Sequence, residues 1–211
     1  MLDGMNESQK ILLVGAGGTL GRAVHALLDE RGHQVVTASR TGADLHVDIT
    51  DPASVRSLYE QLADRHGPVD AVACAAGSVP WRPLAELTTE DVRAGLEARS
   101  SARSNWSARR RPAAAHASYT LVTGILAREP LRTGSVAALA NGAVESFVRA
   151  AALELPGRQR INAVSPTVFE ESLGAYGDTF AGHDAVPVRR AAHAYVKSIE
   201  GHRTGQVFLV E

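Results

Sequence analysis

Gly15, Gly18 and Gly21 stand at intervals of three between an apolar run, Ile11-Leu12-Leu13-Val14, and a segment whose apolar positions Leu20, Ala23, Val24, Leu27 and Leu28 recur every three or four residues. The chemistry such a spacing serves is phosphate binding. The first N–H groups of a helix have no partner inside it and attract an anion, and a Cβ in the turn would hold that anion away. A glycine triplet alone is weak evidence. One that follows a strand, opens a helix and leads to a second strand, here Gln34-Val35-Val36-Thr37-Ala38, is strong evidence for a dinucleotide site. Thr19 and Leu20 lie in the same turn and are counted with it. Gly21 also lets the helix lie close to the strand.

Ser39-Arg40 follows the second strand, where a site that prefers NAD usually places an acid for the ribose 2′-hydroxyl. No acid occurs before Asp44. Arg40 offers instead a planar fork of donors suited to a 2′-phosphate, and Ser39 adds a hydroxyl. The expected cofactor is therefore NADP(H) in preference to NAD(H).

Other reactive residues are sparse. Cys74 has no histidine or other base beside it in the sequence and reads as a small buried residue. The histidines, His183 and His193 among them, show no metal-ligand spacing, so no metal is expected. Net charge is -1 and the isoelectric point about 6.7, which implies neither a nucleic-acid nor an anionic-membrane partner. The Arg109-Arg110-Arg111 run accordingly reads as a solvated stretch. A single cysteine and the lack of a membrane-length apolar run suit a cytoplasmic protein. Residues 1–9 are polar, without the apolar core of a signal peptide, and are expected to form a flexible leader, with Met5 an alternative start.

The elements that must position these residues follow in order. A third strand is expected over Ala43–Ile49, and a helix begins at Asp51-Pro52, with Asp51 as cap and Val55, Leu58, Tyr59 and Leu62 on its apolar face. Val69–Cys74 is a fourth strand ending in Ala75-Ala76-Gly77. A helix is expected from Glu86 to about Ala98, capped near Thr88 or Thr89. Arg99–Ala117 then breaks the pattern. It holds five arginines, one proline and almost no large apolar residue besides Trp106, so it has no stripe with which to cover a sheet. Two readings stand: a divergent surface segment, or a stretch translated out of frame. Ser118–Thr123 is a fifth strand, Gly134–Leu155 a long helix stopped by Pro156-Gly157, and Arg160–Val164 a sixth strand. Residues 167–186 have no period and should form the loop over the site. Pro187–Glu200 is a last helix and Gln206–Val210 a seventh strand.

In this order the pieces resemble the short-chain dehydrogenase/reductase family over residues 10–211, with 99–117 excepted. The turn Gly15–Gly21 resembles the family's glycine-rich turn. Val47-Asp48-Ile49 resembles the segment whose acid and following backbone meet the adenine. Cys74-Ala75-Ala76-Gly77 resembles its Asn-Asn-Ala-Gly strand end. Ile161–Pro166 resembles the strand beside the nicotinamide, with Thr167 where glycine is usual. The resemblance implies one doubly wound, Rossmann-type α/β domain over residues 10–211, with a seven-stranded parallel sheet and helices on both faces. It implies cofactor contacts from Asp48, Ile49, Ala75, Ala76, Gly77, Asn141, Pro166 and Val168. It further implies a homodimer or homotetramer, with the 134–155 helix at the interface.

The family's Tyr-x-x-x-Lys pair does not occur in this chain. Laid on the family pattern, Ala137 takes the tyrosine slot and Asn141 the lysine slot, while Thr123, or Gly124 by strict spacing, takes the serine. Alanine has no proton to give, and asparagine cannot lower a neighbour's pKa by charge. Tyr176, in the covering loop, is an alternative donor. The resemblance thus implies an NADP(H)-dependent oxidoreductase acting on a small carbonyl or alcohol, with Thr123 and Asn141 positioning the substrate. The alternative is a catalytically inactive NADP(H)-binding sensor or partner subunit.

Overall fold

The structure is a computed structural model describing residues 7–97 and 113–211. Seven strands form one sheet in the order β3-β2-β1-β4-β5-β6-β7, every neighbouring pair parallel. They are β1 (Lys10–Val14), β2 (Gln34–Ser39), β3 (Leu45–His46), β4 (Val69–Cys74), β5 (Ala113–Val122), β6 (Arg160–Pro166) and β7 (Val207–Val210). The helices are α1 (Thr19–Glu30), α2 (Pro52–His66), α3 (89–97 among the described residues), α4 (Ser135–Ala151), the single turn α5 (Leu173–Tyr176) and α6 (Val188–Glu200). The expected fold class is the one observed. No helix among the described residues is long and apolar enough to cross a membrane.

The alternation along β1 shows why the sheet is covered twice. Ile11 and Leu13 point into a layer with Leu20, Val24 and Leu27 of α1 and with Ala191, Tyr195 and Ile199 of α6. Leu12 and Val14 point into the opposite layer, with Leu58 and Leu62 of α2 and Val144 and Val148 of α4. Each fully buried leucine or isoleucine contributes roughly 1.5–3 kcal/mol. Two surface ion pairs, Arg31–Glu200 and Arg189–Glu30, tie α1 to α6.

Several boundaries differ from expectation for local reasons. β3 is two residues long, not seven. Before it, Gly42 turns at φ +66 and Asp44 folds back on Thr37; after it, Asp48 draws in Thr50, and both devices take the chain off the sheet edge. Residues 113–117, read as part of the irregular segment, are strand: β5 begins at Ala113, which pairs with Val69, and a register shift follows before Ala71 meets Ser118. The remainder of that segment, with its two readings, lies outside the described residues. α4 ends at Ala151 because the next turns tighten, Leu153 and Glu154 donating to carbonyls three residues back ahead of Pro156. The helix expected from Glu86 starts at 89; Leu84–Glu86 is a separate 3₁₀ turn, and Thr88 caps α3 by accepting from the Asp91 N–H while Asp91 accepts from Thr88. Asp51 caps α2 as expected, accepting from the Ala53 N–H at 2.8 Å. Of the leader, Ser8 donates to the Gly32 carbonyl and Gln9 to the His33 ring, while residues 1–6 lie outside the described residues.

Candidate functional site

Two cavities meet at the carboxyl ends of the central strands, where the crossover direction of the sheet reverses. They share Ala75, Gly77 and Ser78. The first, about 530 Å³, lies over β1, β2 and β4 and is lined by Gly15, Gly17, Gly18, Ser39, Arg40, Thr41, Asp48, Ile49, Thr50 and Ala76, among others. The second, about 520 Å³, lies over β5 and β6.

The turn between β1 and α1 is shaped by its glycines. Gly15 holds φ +88, and a Cβ there would sit 2.7 Å from the Ala76 Cβ. A Cβ on Gly21 would collide with the Gly15 carbonyl oxygen, so only glycine lets α1 start this close to the strand. Gly17 has open space around it on the cavity side. No side chain caps α1, and among the bonds at its start only the Gly18 N–H turns back, to the Gly15 carbonyl at 3.2 Å. The helix start is therefore left open to an acceptor from outside, as a phosphate cradle requires.

At the far end of this cavity the two nearby acids are engaged. Asp44 accepts from the backbone N–H of Thr37 at 2.9 Å and from its hydroxyl at 2.7 Å; those bonds, the backbone one foremost, hold its pKa below the usual carboxylate value. Asp48 accepts from the Thr50 hydroxyl at 2.7 Å and its N–H at 2.9 Å, which lowers its pKa likewise, with Arg40 and His46 adding charge. Ser39 donates to the Thr41 carbonyl at 2.5 Å. Arg40 lies exposed on the cavity wall.

The second cavity is lined by Thr123, Ala137, Asn141, Pro166 and Val168, all singled out from sequence, and by Thr19 and Leu20. Ala137 is buried on its floor, a methyl group at the tyrosine slot. Thr123 is buried too, but its proton is directed backwards, to the Asn141 carbonyl at 3.2 Å or the Glu145 carboxylate at 3.5 Å. A side chain at Gly124 would begin 3.2 Å from the Asn141 amide nitrogen, so position 124 is the one that faces the lysine slot. The Asn141 Oδ1 and the Thr167 hydroxyl are buried without a partner. Tyr176 lies at the rim, 42% exposed.

Of the residues expected to bind cofactor, all but Gly21 line one cavity or the other, and Gly21 acts through the shape of the turn. Sequence reasoning missed the support behind the floor. Glu145, 6% exposed, accepts from Arg128 at 3.1 Å, Ser165 at 3.3 Å and Arg149 at 3.4 Å, and Arg128 also donates to Ser165 and Glu211. Its signal was spacing: Glu145 follows Asn141 by one helical turn and Ala137 by two, a charge on the buried face of α4. The aromatic walls Trp81, Phe169 and Phe180 were also missed, because the segments bearing them have no period. Among the described residues no group of three or more His, Cys, Asp or Glu side chains could hold a metal ion.

A parallel doubly wound sheet, a glycine turn opening α1 and a cleft at the strand ends together define a dinucleotide-binding protein. A family model described as enoyl-(acyl carrier protein) reductase matches residues 10–199, and the chain belongs to the short-chain dehydrogenase/reductase family, oxidoreductases that use a nicotinamide cofactor. It is 30% identical to L-xylulose reductase of Mesocricetus auratus over 79% of this chain and 74% of that protein. The crystal structure of a Listeria innocua protein superposes with a TM-score of 0.91 at 40% identity, covering 97% of this chain and all of the other. A small-chain dehydrogenase solved in complex with NADPH has the same fold, with a TM-score of 0.82 at 23% identity over 97% of each chain.

Proposed function

We propose that the chain binds NADP(H) in preference to NAD(H) and moves hydride between it and a small carbonyl or alcohol. The observation that carries this reading is the ribose end of the first cavity. Arg40 stands there exposed, while Asp44, which does not line the cavity, is held by Thr37, and Asp48, placed toward the adenine, is held by Thr50. The solved NADPH complex of a relative in fold supports the same choice. Gly15, Gly18, Thr19 and Leu20 would hold the pyrophosphate, Ser39 and Arg40 the 2′-phosphate, and Asp48 and Ile49 the adenine. Ala75, Ala76 and Gly77 would line the middle, and Asn141, Pro166 and Val168 the nicotinamide end. When bound, the reduced nicotinamide supplies hydride.

The protein's own part is then to orient and to manage one proton. Asn141 would hydrogen-bond the ribose or substrate, Glu145 holds Thr123 from behind, and, with Ala137 unable to donate, the proton for the substrate oxygen would come from solvent water. The second reading, a nucleotide-binding sensor or partner subunit without turnover, is favoured by Ala137 at the tyrosine slot and by the backward direction of the Thr123 proton. A homodimer or homotetramer belongs to either reading, α4 carrying the exposed Leu139.

Calorimetry with NADPH and NADH at equal salt tests the cofactor assignment. Arg40→Ala is expected to weaken NADPH by roughly 10- to 100-fold, the worth of a charge-assisted contact, and to leave NADH unchanged. Tighter NADH than NADPH in the parent would overturn the assignment. A carbonyl screen with NADPH then separates enzyme from sensor.

A further inference from the structure

We infer that the second cavity takes a neutral ligand built on an aromatic or aliphatic ring with one polar group, such as an aryl or alicyclic ketone or the matching alcohol. It is not shaped for a sugar or a carboxylate. The inference rests on the oxidoreductase reading for the carbonyl or alcohol, while the ring preference comes from the walls themselves.

Among the described residues, no Asp, Glu, Lys, Arg or His lines this cavity. Arg128, behind the floor, already donates to Glu145, Ser165 and Glu211. A carboxylate entering would lose its water and find no counter-charge. The walls are rings instead. Phe180 sits at their centre, its ring 6.4 Å from Trp81 and 5.2 Å from Tyr176, both edge to face. Trp81 comes from the loop after β4 and Tyr176 and Phe180 from the covering segment, so two separate stretches bring aromatic surface to one opening. Trp81 and Tyr176 remain 37% and 42% exposed, large rings with faces still uncovered. A flat apolar ligand between them would gain edge-to-face contact and the burial of its own ring.

The polar groups on offer are few. Thr19 and Ser78 lie on the glycine-turn side, Ser172 and the Tyr176 phenol on the covering segment, and Thr123 is bonded to its own helix. What is left unpartnered and buried is the Asn141 Oδ1 and the Thr167 hydroxyl. They suffice for the nucleotide's inner edge and one oxygen of the ligand. A ketose brings several hydroxyls, and an apolar wall leaves most of them without a partner. At this site the chain thus differs from the sugar specificity in the names of its L-xylulose reductase relatives.

The test uses the full chain, with and without NADP⁺, titrated calorimetrically with acetophenone, cyclohexanone, L-xylulose and benzoylformate. Acetophenone or cyclohexanone is expected to bind at least about tenfold more tightly than the other two. Phe180→Ala should weaken the ring ketones by about tenfold and leave NADPH affinity unchanged. If that variant unfolds, Phe180→Leu keeps the bulk and removes the ring. L-Xylulose or benzoylformate binding as tightly as the ketones, or none of the four binding, would overturn the inference. The two readings fail separately: ring-ketone binding by a chain that binds no NADPH overturns the oxidoreductase reading alone, and NADPH binding without ring preference overturns this one alone.

Discussion

The cavity over β1 and β2 is lined by glycine backbone, hydroxyls, Asp48 and Arg40; its neighbour over β5 and β6 is lined, among the described residues, by rings, methyls, hydroxyls and the Asn141 amide. They share one sheet, one edge and three residues, yet they answer to different constraints. Phosphate binding is a property of backbone geometry. It tolerates almost no side chain in the turn, so the residues that do it must be where they are. Proton transfer is a property of particular side chains, which can be replaced while the fold stands. In this chain the glycine geometry of the turn is present, and the family's proton-transfer side chains survive only as positions: Ala137, Asn141, and Thr123 or Gly124. On the proposed reading binding and turnover are separable, and substitutions test that separation.

The largest effect is expected from a pair of glycine substitutions, one in the turn that shapes the first cavity and one on the lining of the second. Gly21→Val drives a branched side chain into the Gly15 carbonyl and within 2.8 Å of the Ala16 Cα, backbone atoms that cannot yield cheaply. NADPH binding should be lost and stability fall by about 3 kcal/mol, the upper range for overpacking a core. Gly124→Ala adds a methyl 3.2 Å from the Asn141 side chain, which can shift. It should cost roughly 1 kcal/mol or less and leave NADPH binding in place. Thermal unfolding and calorimetry on both proteins read the contrast; equal losses would show that the second cavity is as constrained as the first.

Next in size is the attempt to put the proton route back. Ala137→Tyr with Asn141→Lys restores a phenol and its cation one helical turn apart on the buried face of α4. Reduction of a ring ketone by NADPH should rise by roughly a hundredfold over the parent, the usual worth of a placed general acid. No gain over a parent that already turns over would mean that the second cavity has a proton route of its own, and the contrast between the cavities would fall.

The same contrast governs what could be read from the sequence. The glycine turn, the cap at Asp51 and the apolar run of β1 are local features, and each appeared where its residues predicted. Gly32, just past α1, holds φ +81, the left-handed conformation that ends a helix. The second cavity was legible only through Ala137, Asn141, Thr123 and Val168, positions fixed by regular elements. Its walls come from residues 75–88 and 167–186, where no period exists, and Trp81 meets Phe180 only because tertiary packing joins the two loops. Glu145 lies in the middle of α4 on its buried face, where an apolar stripe gives no sign of the one charge it contains. The length of β3 failed for a related reason: Ala43–Ile49 looked like a strand, but Asp44 and Asp48 turn their carboxylates onto nearby backbone, a competition that strand patterning does not register.

Asp44 gives the smallest effect and the finest test. Its bonds to Thr37 hold its pKa below the unfolded value in the folded chain, so its share of stability is complete above about pH 4 and is lost as pH falls through the folded pKa. Asp44→Asn does not titrate, and its melting temperature should fall less steeply than the parent's below about pH 4. The remaining slope belongs to Asp48 and the other carboxylates, which the variant leaves alone. The same protein decides whether the ribose end is free of acid. If Thr37 holds this carboxylate away from the nucleotide, the ratio of NADPH to NADH affinity stays as it was at neutral pH. If NADH binding weakens in the variant, Asp44 had been reaching the ribose, and Arg40 would not be the group that chooses the cofactor.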